Sequence, residues 1–90
     1  MSLDLLCIAD EQGYFRRVNP AFMQLLGWTE KELLSQPFFN LIHPEDLDVT
    51  IEAVDQINSG ERASLFKNRY LCKNGSWRWL EWKLCHNLMV

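Results

Sequence analysis

Three cysteines, two histidines and a scatter of carboxylates are the groups in this 90-residue chain that could do chemistry, and their spacing decides which. Cys7, Cys72 and Cys85 are odd in number and far apart. No pair has the close spacing of a zinc knuckle or redox motif, so they read as reduced, mostly buried small apolar residues of a cytosolic protein. His43 and His86 lie far from one another and from any carboxylates at ligand spacing, so no metal site is expected. Asp10, Glu11, Glu45 and Asp46 fall at turns and helix starts, where acids serve as caps and dipole partners. No nucleophile, base and orienting group come together, and there is no Gly-rich phosphate loop. The chain is expected to have no active site of its own.

The elements that must position any site come from a single small domain, residues 1–90. With 48% hydrophobic, 12% aromatic and 23% charged residues the composition is globular. A chain this short buries only somewhat over ~60% of its unfolded surface, so the core is thin and each large side chain counts. The net charge of −3 and a pI of about 5.2 leave no basic field for a polyanion, which excludes nucleic acid as the expected partner. No apolar run approaches the ~20 residues of a membrane span, and a signal peptide is absent from the sequence pattern. A cytoplasmic location is expected, with no membrane contact by this segment. Met1-Ser2-Leu3 reads equally well as an added leader and carries no weight.

Leu5 to Asp10 and Tyr14 to Val18 form a hairpin turning at Gly13. Asn19-Pro20 starts a helix, since Asn accepts from free amides at the cap and Pro lacks an N–H that would go unpaired. Gly27 stops it. Thr29-Glu30-Lys31-Glu32 has the form of a capping box, and a second short helix runs to about Ser35 before Pro37. Phe38 to Ile42 reads as one helical turn pressed on the core. His43-Pro44-Glu45-Asp46 opens the longest helix, with Leu47, Ile51, Val54 and Ile57 facing inward and Asp48, Glu52 and Asp55 facing water. From Arg62 the period becomes two. Leu65 to Lys73 and Trp77 to Cys85 are strands joined at Asn74-Gly75, read as a type I′ turn. The fold class is α+β, with helices gathered on one face of an antiparallel sheet.

That order, with these residues, resembles the PAS domain, the sensory fold of histidine kinases in two-component systems, of cyclic-dinucleotide enzymes such as diguanylate cyclases, and of other signalling proteins. The carrying segments are Val18-Asn19-Pro20-Ala21-Phe22, Gly27 to Leu34, His43-Pro44-Glu45-Asp46-Leu47, Arg69-Tyr70 with Lys73-Asn74-Gly75-Ser76, and Trp79-Leu80-Glu81-Trp82. The resemblance implies a five-stranded sheet in spatial order 2-1-5-4-3, cupped by short helices over a small cavity. The sequence departs at its end: a fifth strand begins at about residue 88 and is cut short. It is therefore expected to be a piece of a larger signalling protein, with strand exchange between copies as one way to fill the sheet.

The resemblance also frames the site. In the branch that binds flavin covalently a reactive Cys follows the second short helix, and Phe38 stands at that place here. Haem would need a His on the long helix facing the cavity, whereas His43 precedes it. No cofactor is expected, with a non-covalent flavin or haem as the alternative. The cavity candidates are Phe22, Leu26, Phe39, Ile51, Val54, Leu80 and Trp82, joined by Ile8, Leu41 and Leu84; ordinary core packing is the favoured account of them, since a domain this small needs all of them to fill its interior. Trp28 reads as a hydrophobic plug after Gly27.

Alternation puts Leu80, Trp82 and Leu84 on one side of their strand and Trp77 and Trp79 on the other. The first strand is apolar on both sides. A second subunit or another part of the protein is expected to cover the outer face, with Trp77, Trp79, Leu5 and Cys7 as its contacts. The function this supports is a sensory or regulatory domain that dimerises or docks and relays a signal to a linked output domain. The alternative is a receptor whose cup holds a flavin or metabolite.

Overall fold

In a computed structural model that describes residues 5–85, 88 and 89, local signals set each early element. Met1-Ser2-Leu3 and His86 lie outside the described residues. Strands β1 (Cys7–Ala9) and β2 (Phe15–Val18) pair antiparallel around a turn held by Asp10, whose Oδ1 accepts from the Gln12 and Tyr14 backbone N–H groups at 2.9 and 3.0 Å. Helix α1 (Pro20–Leu26) starts where the Asn19 carboxamide oxygen accepts from the Phe22 N–H at 3.2 Å. The same oxygen accepts from Leu6 N–H at 3.1 Å, tying the helix start to the strand beside it. Helix α2 (Glu30–Leu34) has the expected capping box: Thr29 Oγ1 accepts from Glu32 N–H, and Glu32 Oε1 accepts from Thr29 N–H.

A 3₁₀ turn over Phe38–Leu41 follows, then a second over Pro44–Asp46, then helix α3 (Leu47–Asn58). The His-Pro-Glu-Asp segment is thus a separate turn in front of α3. Its cap is the His43 ring, whose Nδ1 accepts from the Glu45 N–H at 3.1 Å. Strands β3 (Ser64–Leu71), β4 (Trp77–Cys85) and β5 (Leu88–Met89) complete a five-stranded sheet in order β2-β1-β5-β4-β3. The short β5 bridges the middle: Leu88 and Met89 pair with Ile8 and Cys7 on one side and with Cys85 and Leu84 on the other.

The β3–β4 loop corrects the expected type I′ turn. Gly75 N–H donates to the Cys72 carbonyl at 2.9 Å and Cys72 N–H to the Ser76 carbonyl at 2.8 Å, so the loop holds Lys73, Asn74 and Gly75. Asn74 spends its side chain on the Ser76 N–H and hydroxyl. Gly75, at φ +91°, supplies the left-handed residue of a three-residue loop.

The helices lie on one sheet face, and the core between is aromatic. Phe22, with none of its surface exposed, meets Phe15 at 5.4 Å and Tyr70 at 5.9 Å between ring centroids, both edge-on, and Trp82 at 5.8 Å. Such edge-to-face pairs add about 0.5–1.5 kcal/mol each to area burial. Trp28 plugs the end of α1 as expected, and its indole N–H donates to the Leu71 carbonyl at 2.8 Å.

Two faces differ from the sequence expectation. On α3 the buried residues are Thr50, Ala53 and Ile57, while Ile51 is 45% exposed. Small residues let the helix approach the sheet closely, and the inward stripe runs one position before the more apolar one. On β1, Cys7 is 1% exposed and points into the core, whereas Ile8 is 37% exposed on the outer face. Pairing decides this, because Cys7 stands opposite buried Val18 and Ile8 opposite exposed Arg17. Cys7 and half-buried Leu5 therefore belong to the inner side, and Ile8 leaves the cavity set.

Candidate functional site

The inner side of the cup holds a continuous polar chain. Thr50 on α3 donates its hydroxyl to the Asp46 carbonyl at 2.9 Å, Asn68 Nδ2 on β3 donates to Thr50 Oγ1 at 3.1 Å, and Trp82 Nε1 on β4 donates to Asn68 Oδ1 at 2.7 Å. All four residues are buried. Helix, edge strand and inner strand are thereby joined across the core, and the groups a polar ligand would seek are used within the chain.

A cavity of about 80 Å³ is bordered by Ala9, Gly13, Phe38, Phe39, Val54 and Leu84, among others, and by none of the four residues of that polar chain. Of the expected cavity residues, Phe39, Val54 and Leu84 border it. Phe22, Leu26, Leu80 and Trp82 are buried in packed core away from it, and Ile51 faces solvent. Ligand pockets run to about 300–1,000 Å³. Burial also makes the inner titratable groups chemically quiet: it pushes the Cys7 thiol and the Tyr70 phenol up, so both stay protonated.

The outer side is built differently. Trp77 and Trp79 are 44% and 60% exposed, and Leu65 on the edge strand is 78% exposed. The two tryptophans are held by what flanks α3. Trp77 packs on the His43 ring at 4.6 Å between centroids, and the Arg69 guanidinium sits 4.7 Å over the Trp79 ring. Arg69 reaches around the sheet edge to Asp46, whose Oδ2 accepts from Arg69 Nε at 2.9 Å and whose Oδ1 accepts from Nη2 at 2.9 Å. Those bonds hold the Asp46 carboxyl below the usual carboxylate range and raise the Arg69 guanidinium. Asp46 thus touches both systems, through its carbonyl to the inner chain and its carboxylate to the outer face.

Neither Asn68, Thr50 nor the Asp46–Arg69 pair stood out in the sequence as a site. The available signals were an amide at an inward position of an alternating strand and an Arg at an outward one.

An antiparallel sheet in this order, with short helices on one face and none among the described residues on the other, defines an α+β domain of one particular architecture. The comparisons agree: a family model of the PAS fold matches residues 15–85. The chain belongs to the PAS fold family, and is a sensory and regulatory domain of signal transduction. It is 31% identical over 75 residues to the probable diguanylate cyclase DgcE of Escherichia coli K12, covering 82% of this chain and 7% of that protein. It is 34% identical over 71 residues to the White collar 2 protein of Neurospora crassa, covering 78% of this chain and 13% of that one. The chain therefore spans only a small part of these relatives. Among solved structures, the PAS-B domain of Drosophila melanogaster Cycle with bound ethylene glycol superposes with a TM-score of 0.83 at 18% identity, over 89% of this chain and 79% of that one. A PAS domain from Colwellia psychrerythraea gives 0.76 at 24% identity, over 88% and 67%.

Proposed function

We propose that this chain is a regulatory domain with no active site or cofactor of its own, acting in the cytoplasm. It docks through the outer sheet face and relays a change there to a linked output domain, of the diguanylate-cyclase or histidine-kinase kind that the names of two relatives carry. The carrying observation is the double engagement of Asp46, which bonds to the buried Thr50–Asn68–Trp82 chain and to Arg69 over Trp79. Whatever covers Trp79 shifts the Arg69 side chain, hence Asp46 and the start of α3, and so biases the domain between two packings. A cavity of only 80 Å³, and core polar groups bonded to one another, support a cup filled by its own side chains.

Acrylamide quenching of Trp77 and Trp79 tests the docking, in the protein purified from its source and in the isolated chain. Shielding in the source protein is expected, and equal access in both removes the reading. The absorption spectrum and native mass of the same preparation test the cup. A stoichiometric chromophore or bound small molecule overturns the cofactor-free assignment.

A further inference from the structure

The turn in front of α3 is closed by a side chain that can change its charge. His43 Nδ1 accepts from the Glu45 backbone N–H at 3.1 Å, which needs a free lone pair at that nitrogen and leaves the proton of the neutral ring on Nε2. Glu45 Oε2 lies 3.9 Å from the same Nδ1 and 3.6 Å from Arg69 Nη2, so one carboxylate stands between two partners. The Asp46 carboxylate faces this corner from the same turn, and the Arg69 guanidinium faces it from β3. Strand β3 also fixes the ring's backbone, because His43 N–H donates to the Arg69 carbonyl at 2.9 Å. Strand β4 contributes the neutral indole of Trp77, packed on the ring at 4.6 Å between centroids.

Imidazole is the side chain that changes charge between about pH 5 and 8, and once protonated it has two donors and nothing to accept with. We propose that His43 is a proton-operated latch on the turn before α3: neutral, it holds the Glu45 N–H; protonated, it releases that N–H and draws the Glu45 carboxylate off Arg69. The proton comes from solvent and sits on Nδ1, so a backbone bond present at higher pH is exchanged for an ion pair as pH falls. The Glu45 and Asp46 carboxylates favour the charged ring, and the Trp77 face accepts a cation. The Arg69 guanidinium and the Glu45 N–H oppose it. The released turn carries Asp46, which bonds to Thr50 of α3 and to Arg69 of β3, so the proton is felt where the helix starts. This latch stands apart from the docking reading, since every group in it belongs to this chain.

The test follows the whole chain by NMR from about pH 8 to 5. The Glu45 amide resonance is expected to move with the same midpoint as the carbon-bound protons of the His43 ring. Its protection from hydrogen exchange, taken relative to an unstructured chain at each pH, falls about fivefold as the ring charges, the size expected from one capping bond. The Arg69 side-chain N–H resonances shift in the same step. His43→Asn keeps an oxygen for the cap and cannot titrate, so the Glu45 step vanishes while the amide stays protected. Glu45→Gln keeps the amide step and loses the one at Arg69. A Glu45 amide that ignores the midpoint of the ring, or that still steps in His43→Asn, overturns the latch. An Arg69 step retained in Glu45→Gln overturns the transfer of the carboxylate. Loss of every amide signal at that midpoint makes the event unfolding of the domain and likewise overturns the latch. Where a variant fails to fold, the agreement of midpoints in the unaltered chain decides alone.

Discussion

Asp46 grips Arg69 at three points: Oδ2 accepts from the Arg69 backbone N–H at 2.8 Å and from Nε at 2.9 Å, and Oδ1 accepts from Nη2 at 2.9 Å. The backbone bond occupies a donor that an edge strand would otherwise leave free, and the fork fixes the guanidinium over Trp79. The carboxyl is held below its ordinary value chiefly by the hydrogen bonds from the Arg69 side chain. As acid is added the unfolded chain therefore takes up this proton first. The stabilisation is full above the unfolded value near ~3.9 and is lost as pH falls from there through the folded value. Asp46→Asn is expected to be less stable at neutral pH and to lose less stability on acidification, in urea titrations across that range. Glu32, lowered by the Thr29 backbone N–H and by Lys73, leaves a residual slope of the same sign. An unchanged slope in Asp46→Asn would show that the pair does not carry this acid sensitivity.

Removing Asn68 should leave the Trp82 N–H buried without its acceptor and Thr50 Oγ1 without its donor. Asn68→Ala is expected to cost about 2–3 kcal/mol, the range for an orphaned buried group plus lost packing. Trp82→Phe in the same chain removes the orphaned donor, so the double variant should cost less than the sum of the singles. Additive costs in a denaturant-measured double-mutant cycle would mean the two side chains are not coupled.

How far this architecture was readable depended on whether its cause was local. Asn19-Pro20, Gly27 and the Thr29/Glu32 box are short-range signals, and their helices begin and end where those residues require. The inner face of β4 was also legible, because Leu80, Trp82 and Leu84 alternate with exposed neighbours. β1 was not, since Leu5 to Ala9 is apolar on both sides and only pairing with Val18 and Arg17 chooses between them. On α3 two stripes compete, and the buried one includes Thr50, whose hydroxyl finds partners only in the folded chain. Asp46 and Arg69 are 23 residues apart, and nothing local in either announces the other.

Gly13 and Gly75 separate two costs of a side chain at positive φ. Both sit near φ +90°, but a Cβ on Gly13 would lie 2.9 Å from the Phe39 ring while one on Gly75 meets open space. Gly75→Ala should therefore cost about 1–2 kcal/mol of backbone strain alone. Gly13→Ala adds overpacking, typically a further ~1–3 kcal/mol, unless the Phe39 ring turns into the adjoining cavity. Equal losses for the two in urea unfolding would show that the ring gives way freely.

The cysteines should react in an order set by burial. Cys7 is 1% exposed with its thiol pushed up by desolvation, Cys72 is buried, and Cys85 is half-buried at the end of β4. Since the thiolate is the nucleophile, a disulfide reagent should label Cys85 first and Cys7 last, with Cys7 modified only when the domain opens. Peptide mapping by mass spectrometry over a time course reads the order. Early labelling of Cys7 would contradict its inward placement on β1.

Trp79 and Trp82 lie three positions apart on β4, on opposite faces, and their substitution should separate folding from docking. Trp82 is 3% exposed and touches Phe22 and Tyr70, so Trp82→Ala should cost about 3–5 kcal/mol. Trp79, 60% exposed, gives up little buried surface, so Trp79→Ser should change unfolding free energy by about 0.5 kcal/mol or less. A large aromatic left where the isolated fold gains almost nothing from it calls for a use outside the fold, which is what the docking reading supplies. A loss for Trp79→Ser comparable to that for Trp82→Ala, in matched denaturant curves, would assign Trp79 to the fold and take away that support.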